Sequence, residues 1–512
     1  MKMTILTNPF IFIESFKKVD IIGLKNKPSL RDEDTMQKFK QILKRILQIT
    51  LLFLFYLYIG GILVFAFDQP NESGYLETHT TDRFYHDTYG PDRVVLIEKR
   101  LEALLARLDL IRNAEETLDI AYYTYFDDEA GKLFYHALLE AAERDVKIRL
   151  LVDGMYFNLL GVRRAIFALA LHDNIDVHIY EPVNFLFPWT LQNRMHDKMM
   201  ITDNKHAMIG GRNIQYRFFA PDDYPDVITN DLDVLIINTD PDQDQSVIPQ
   251  MTTYFNQLWN STYTKRFKLN SWFRRQGIDY KRQLFKFIEV QKKLNPHYFT
   301  SVVNWLENSY PTNKVTLIHN PLERFNKEPW IWYDLTRLFE SAQSSIYIQS
   351  PYVVPTKRMM KLMGELSVEP ENIHFFTNSI PVNPNLFGAL GYMKRRNELV
   401  DKGYTIYEYQ GPETIHGKAF MIDDRLSIIG SFNLDARSTY LSTESMVVID
   451  STEFTSHFKD VVENEYYAKS LLVQKDYTYG PTPAIKPVTM AKAEEKLYEL
   501  LSILFNWHDY ML

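Results

Sequence analysis

The chain has 512 residues, 46% hydrophobic and 24% charged, which is ordinary globular chemistry for one large domain or two medium ones. Its formal charge of -8 excludes a broad basic footprint for nucleic acid. The lack of any cysteine excludes disulfides, thiolate metal sites and a cysteine nucleophile.

Residues 1–45 mix charge with apolar residues and carry no strong fold signal. Residues 46–67 then run 22 positions without a charge, ILQITLLFLFYLYIGGILVFAF. At about 1.5 Å per residue such a helix is about 33 Å long, against a hydrocarbon core of about 30 Å. A transmembrane helix is the expectation. Lys38, Lys40, Lys44 and Arg45 precede it, whereas the first base after it is Arg83. Bases stay on the cytoplasmic side, which predicts a single-pass cell-membrane protein with a cytoplasmic N-terminus and the catalytic region on the extracytoplasmic side. Val64-Phe65-Ala66 also resembles a signal-peptide cleavage site, but the long leader favours a retained anchor.

Residues 68–93 are polar and rich in turn formers, as a spacer would be. A first half is expected over 94–240. It opens with a predicted helix from Val94 to Asn113, then a strand from Leu118, a helix over Gly131–Arg144 and a strand over Val146–Val152. A second half, 311–475, repeats the order. Strands are predicted at Ser345–Ser350, Ile373–Asn378 and Tyr404–Tyr409, with helices at Lys357–Leu366 and Leu386–Lys402. Between the halves, 241–310 reads as a helical connection without a counterpart, with helices at Met251–Trp259 and Tyr280–Lys293. The tail, 476–512, contains apolar residues at helical spacing from Leu497 to Trp507. It suits either an interfacial helix or one packed on the protein. Strands alternating with helices predict an α/β fold with mixed or parallel sheets flanked by helices.

Each half carries the same motif. The first reads His196-Asp-Lys198, then Asp203, then Gly210-Gly211-Arg212-Asn213. The second reads His416-Gly-Lys418, then Asp423, then Gly430-Ser431-Phe432-Asn433. Both fit H-x-K-x4-D-x6-G-[SG]-x-N. One H-x-K is common by chance; two copies agreeing at every other motif position are not. Residues i and i+2 of a strand share a face, so each histidine points with its lysine. Asp203 and Asp423 fall where the strand should turn and read as structural. The glycines permit a tight turn that returns the asparagine towards the lysine. Two imidazoles, two ammoniums and two amides then surround one phosphate. A zinc site is the competing reading. Lysine at i+2 is a poor neighbour for a cation and no further His cluster accompanies the motif, so no metal and no cofactor is expected.

These motifs resemble the phospholipase D superfamily over residues 95–475, and more narrowly the bacterial cardiolipin synthase C group. The resemblance also rests on Leu118-Asp-Ile-Ala-Tyr-Tyr, Asn193-Arg-Met, Pro351-Tyr-Val-Val-Pro-Thr, Thr377-Asn-Ser, Gly430–Ser438 and Ser442-Thr-Glu444. It implies two duplicated halves packed around one active site. It also implies a phosphatidyltransferase working through a phosphohistidine, with His196 as nucleophile and Lys198, Lys418, Asn213 and Asn433 stabilising charge on phosphate. An acid should orient each histidine: Glu444 is the second half's family position, Asp231 is its match in the first half, and Asp233 is the fallback. The implied partners are the membrane and phospholipids such as phosphatidylglycerol, with no nucleic acid. A hydrolytic phospholipase D yielding phosphatidic acid is the alternative; a nuclease and an inactive membrane scaffold are weaker ones. A spanning segment ahead of the catalytic region is a departure from what that group requires.

Overall fold

The computed structural model describes residues 30–159, 162–241, 245–300, 303–481 and 485–511. Most of the N-terminal segment, residues 1–29, lies outside them. The chain divides after Tyr58 into two units. In the first, Leu30–Tyr58 is helical. The second opens with a π-helical turn, Ile59–Leu63, and a short helix, Val64–Phe67. Among the described residues, Asp34–Phe67 is the one helical stretch long and apolar enough to cross a membrane.

The rest of the second unit is built on two sheets of the same plan. In the first half the strands are β1 (Asp92–Ile97), β2 (Thr117–Tyr122), β3 (Lys147–Asp153), β4 (Ile175–Tyr180), β5 (Lys198–Thr202), β6 (His206–Gly210), β7 (Asp233–Asn238) and β8 (Thr264–Arg266). In the second they are β9 (Lys314–His319), β10 (Ile346–Gln349), β11 (Ile373–Asn378), β12 (Thr405–Tyr409), β13 (Ala419–Ile422), β14 (Leu426–Gly430), β15 (Ser445–Asp450) and β16 (Ser470–Leu472). The first sheet runs β1-β7-β6-β5-β2-β3-β4-β8, with Tyr310–Pro311 added at the β1 edge; the second runs β9-β15-β14-β13-β10-β11-β12-β16. Within these two sheets the β2-β3-β4 and β10-β11-β12 ladders are parallel, their strands joined in order by helical crossovers, and the remaining ladders are antiparallel.

One apolar core is common to both sheets. Met199, Ile209 and Val234 of the first pack in the same cluster as Ala419, Ile429 and Val447 of the second. The opposite face of each sheet has its own core under its own helices. Burial on both faces explains why β7 and β15 are buried at every position rather than alternating.

Four expectations change. Val94–Ile97 is strand, not helix, because its β-branched run is paired with β7; the helix starts only at Arg100. The helix from Lys357 stops at Leu362, followed by Gly364 in a left-handed turn (φ 67°). The 241–310 segment is not wholly without a counterpart. Its amphipathic helix Ile248–Asn260 and strand β8 follow β7 as Thr452–Val461 and β16 follow β15, and Met251, Phe255 and Leu258 enter the shared core with Phe454 and Phe458. Only the stretch from the helix Ser271–Leu294 onward lacks a match. Lastly, 68–93 is docked rather than a free spacer. Tyr75 stacks on Trp330 at 4.8 Å and donates to Asp334 at 2.8 Å, and Phe84 is buried.

The tail forms a helix, Lys492–Phe505, that packs against Leu386–Asp401 while Leu497, Leu500 and Ile503 stay exposed. The Trp507 side chain lies outside the described ones.

Candidate active site

The histidines sit just ahead of equivalent strands, His196 before β5 and His416 before β13. Their backbones are held by the opposite half. The amide of His196 donates to the carbonyl of Thr443 at 3.0 Å, and that of His416 to the carbonyl of Asn230 at 2.7 Å. Short parallel pairings, Met195 with Thr443 and Ile415 with Asn230, extend these bonds. The residue after each acceptor is an acid. Glu444 therefore reaches His196 Nδ1, with both carboxylate oxygens within 2.8–2.9 Å, and Asp231 reaches His416 Nδ1 at 2.7 Å. The two acids are exchanged between the halves. The fallback acid, Asp233, is engaged elsewhere, between Arg107 and Arg212 at 2.9 Å each.

Each lysine turns back on its own strand, Lys198 Nζ donating to the carbonyl of His196 and Lys418 Nζ to that of His416. Lys418 Nζ also stands 2.8 Å from His416 Nδ1. Both ammoniums are almost wholly buried. Burial pushes Lys198 down to about 7 and Lys418 to about 8, and each is opposed by the carboxylates Asp231 and Glu444. Burial and the lysines together hold His196 well below its ordinary value and take His416 down to about 3. Lys418 acts on His196 across the halves, so the two motifs share one electrostatic environment.

The two acids differ. Burial raises Glu444 to about 7 although Lys198, Ser431 and Ser438 pull against it; Ser431 Oγ donates to it at 2.5 Å and Ser438 Oγ at 2.6 Å. At Asp231 burial is outweighed by His416 and Lys418, which keep its carboxyl well below the usual range. The motif position of Ser431 is Gly211 in the first half, where a Cβ would stand 2.1 Å from Asp231 Oδ1. Gly210 and Gly430 are equally constrained, with a Cβ 2.1 Å from Asp233 Oδ1 and 2.3 Å from the Ser445 carbonyl.

The asparagines border the site. Asn433 Nδ2 donates to Tyr352 Oη at 3.2 Å, and the amide oxygens of Asn213 and Asn433 are buried without a partner among the described residues. Asp203 and Asp423 stand at the far ends of β5 and β13, away from the histidines, with φ of 52° and 53°. Asp203 accepts the amides of Glu115, Glu116 and Thr117 at 2.7–2.9 Å. Asp423 accepts those of Gln343, Ser344 and Ser345 at 2.8–3.2 Å. Each secures the turn before the neighbouring strand and touches no reacting group.

Sequence reasoning missed two pairs. Tyr123 meets the His196 ring edge-on at 4.7 Å, and Phe218 meets His416 at 5.3 Å, fixing both imidazoles from the side. Arg217 and Arg437 each lie four residues beyond a motif asparagine. Arg437 depresses His196 and donates to Gln192 Oε1 at 2.8 Å; Arg217 depresses His416 and lies over the Phe218 ring at 4.9 Å. The repeated N-x3-R spacing was the signal that finds them.

The family model described as cardiolipin synthase, PLD-like domain matches residues 108–259 and 335–466, more than half the chain and one stretch per half. The chain belongs to this family. It is thus a phospholipase D superfamily enzyme, and the two matched stretches contain the two motifs. Among curated relatives of this PLD-like protein, cardiolipin synthase C of Escherichia coli is 28% identical over 416 residues, covering 73% of this chain and 84% of that one. An uncharacterized protein of Helicobacter pylori is 27% identical over 410 residues, covering 71% and 77%. Among solved structures, phosphatidylserine synthase of Haemophilus influenzae matches with a TM-score of 0.57 at 14% identity, covering 82% of this chain and 95% of that one, a likeness of fold.

Proposed function

We propose that this enzyme is a membrane phosphatidyltransferase of cardiolipin synthase type, moving a phosphatidyl group from one phosphatidylglycerol to the glycerol hydroxyl of another. The observation that carries the reading is the pair of imidazoles, each backed by a carboxylate of the other half and each beside a buried lysine. The likeness to cardiolipin synthase C supports the choice of lipid, and the apolar run 46–67 supports a substrate held in a bilayer.

The chemistry takes two displacements at one phosphorus. His196 Nε2, free of a proton while Nδ1–H is held by Glu444, attacks phosphorus; the bond to the glycerol oxygen breaks and phosphatidyl-histidine forms. His416, taken down to about 3 by burial and Lys418, gains its proton only when the negative phosphate stands beside it; as imidazolium it gives its Nε2 proton to the departing glycerol. A second phosphatidylglycerol then offers its hydroxyl. His416 takes that proton, the oxygen attacks phosphorus, the P–N bond breaks and cardiolipin leaves with His196 restored. The asymmetry of the acids favours this division of labour. Asp231, anionic throughout the neutral range, is the better support for a histidine that must carry a positive charge. Lys198, Lys418, Asn213 and Asn433 supply fixed donors for the phosphate oxygens, a type of contact worth on the order of 10²–10³ in rate.

The test is incubation of the purified full chain with phosphatidylglycerol vesicles and separation of the lipids. Cardiolipin and glycerol in equal amounts support the proposal. Phosphatidic acid as the main lipid product, with water as acceptor, replaces it with a hydrolytic phospholipase D. The excess of bases ahead of the apolar run supports a cytoplasmic N-terminus with the catalytic region on the outer face.

A further inference from the structure

The apolar run 46–67 is split between the two units of the chain. Thirteen of its residues, 46–58, fall in the first unit; at about 1.5 Å each they make about 20 Å of helix, short of a hydrocarbon core of about 30 Å. Moving the span toward the N-terminus does not help, because it would draw in Lys38, Lys40, Lys44 and Arg45. The nine residues 59–67 are therefore needed to complete a crossing. Yet the middle of this stretch, Gly60 to Phe65, is packed against the catalytic body. Gly61 and Phe65 are buried, and Gln192 Nε2 donates to the carbonyl of Gly61 at 2.8 Å. At Gly60 the approach is so close that a Cβ would stand 2.6 Å from Pro188 Cγ. Gly60 lies seven residues before the end of the run, about 10 Å along a helix.

A body held at that point is drawn below the outer boundary of the hydrocarbon. The residues just before Pro188 suit such a place. Phe185, Leu186 and Phe187 are 55%, 69% and 49% exposed, three consecutive large apolar side chains turned largely to solvent. A run like this in water is costly, and at the headgroup–acyl boundary it is favourable. Behind it the chain is rigidly tied. Pro188–Leu191 forms a 3-10 turn, Gln192 accepts from Arg437, and buried Arg194 bonds Asp153 at 3.1 Å before His196 is reached.

We propose that Phe185–Phe187 is a bilayer-inserted loop, which seats the body on the outer leaflet beside the end of the span and brings headgroups to His196, nine residues further on. The inference rests on 46–67 being a membrane span and is independent of the reaction assigned above.

The chain has no cysteine, so Leu186→Cys gives a single attachment point for an environment-sensitive fluorophore. The labelled full chain is reconstituted in phosphatidylglycerol/phosphatidylcholine vesicles. Quenching by nitroxides carried on lipids at shallow depth, with protection from aqueous iodide, is the expected result. Iodide quenching without lipid quenching overturns the proposal. A second variant, F185S/L186S/F187S, is expected to lose turnover on vesicle-borne phosphatidylglycerol several-fold while keeping turnover on a short-chain, monomeric phosphatidylglycerol. Unchanged turnover on both also overturns it. Absence of cardiolipin formation by the wild-type chain, together with quenching of the Leu186→Cys label from the lipid, sinks the reaction and supports the loop.

Discussion

Glu444 lies in the second half of the chain, yet its carboxylate holds Nδ1 of His196, in the first half, at 2.8 Å. The reciprocal contact, Asp231 to His416 at 2.7 Å, makes neither half complete without the other. Replacing either acid by its amide preserves shape but loses the charge that stabilises the imidazolium and fixes the tautomer. Glu444→Gln and Asp231→Asn are expected to lower cardiolipin formation on the order of 10²–10⁴-fold, as for a carboxylate behind a catalytic histidine. Asp231→Asn should be the more damaging, because in the proposed mechanism Asp231 supports the histidine that carries the proton. Turnover within tenfold of wild type for both would show that the acids do not act through the imidazoles.

Gly211 tests the same contact through the backbone. A methyl there would stand 2.1 Å from Asp231 Oδ1 and would displace that carboxylate from His416. Gly211→Ala is expected to match the loss seen for Asp231→Asn. The two changes together should cost little more than one, because both remove one interaction. A double-mutant cycle on initial rates measures this, and simple additivity contradicts it.

His196→Ala is expected to abolish the covalent phosphatidyl adduct, and His416→Ala to leave it able to form slowly and to persist. Neutral quenching followed by mass analysis of the peptide carrying residue 196 distinguishes them. An adduct on His416 instead reverses the two assignments.

The buried lysines make the free enzyme sensitive to alkali. Lys198 falls to about 7 and Lys418 to about 8, so the charged donors are lost as pH rises through that range, and kcat/KM should decline above about pH 7. Their burial also has a stability cost. A folded pKa below the unfolded one means the cost is absent above about 10.5, where both states are neutral, and complete below about 7. At about 1.4 kcal/mol per unit it is on the order of a few kcal/mol. Lys198→Met should therefore raise Tm by a few degrees at pH 6 and by much less near pH 10.5, while abolishing turnover. An equal change in Tm at both pH values contradicts the linkage.

Asp203 and Asp423 should behave in the opposite way. Each gathers three backbone amides far from the histidines, and leaving those donors unpaired costs about 1–3 kcal/mol. Asp203→Ala and Asp423→Ala are expected to lower Tm while kcat stays within a few-fold of wild type. A loss of kcat comparable to that of a histidine variant, with Tm unchanged, would assign them to the chemistry.

The sequence by itself determined which groups form the candidate site and how each set is arranged. His196 with Lys198 and His416 with Lys418 follow from the two-residue period of a strand. The placing of Asp203 and Asp423 in turns follows from their distance along it, and the apolar helix at 46–67 follows from length and lack of charge. These are properties of neighbours in the chain, and local periodicity records them. Periodicity misassigned Val94–Ile97, whose pairing with β7 overrode a helical pattern, and left open the role of the helix Ile248–Asn260, which is set by the core it covers. The exchange of Asp231 and Glu444 was decided only by the tertiary structure. The bonds that place them join residues 185 and 248 positions apart. Nothing in the spacing of either motif says which acid will meet which imidazole; that choice is made when the backbone before each histidine pairs with the other half and the next side chain along falls beside the ring.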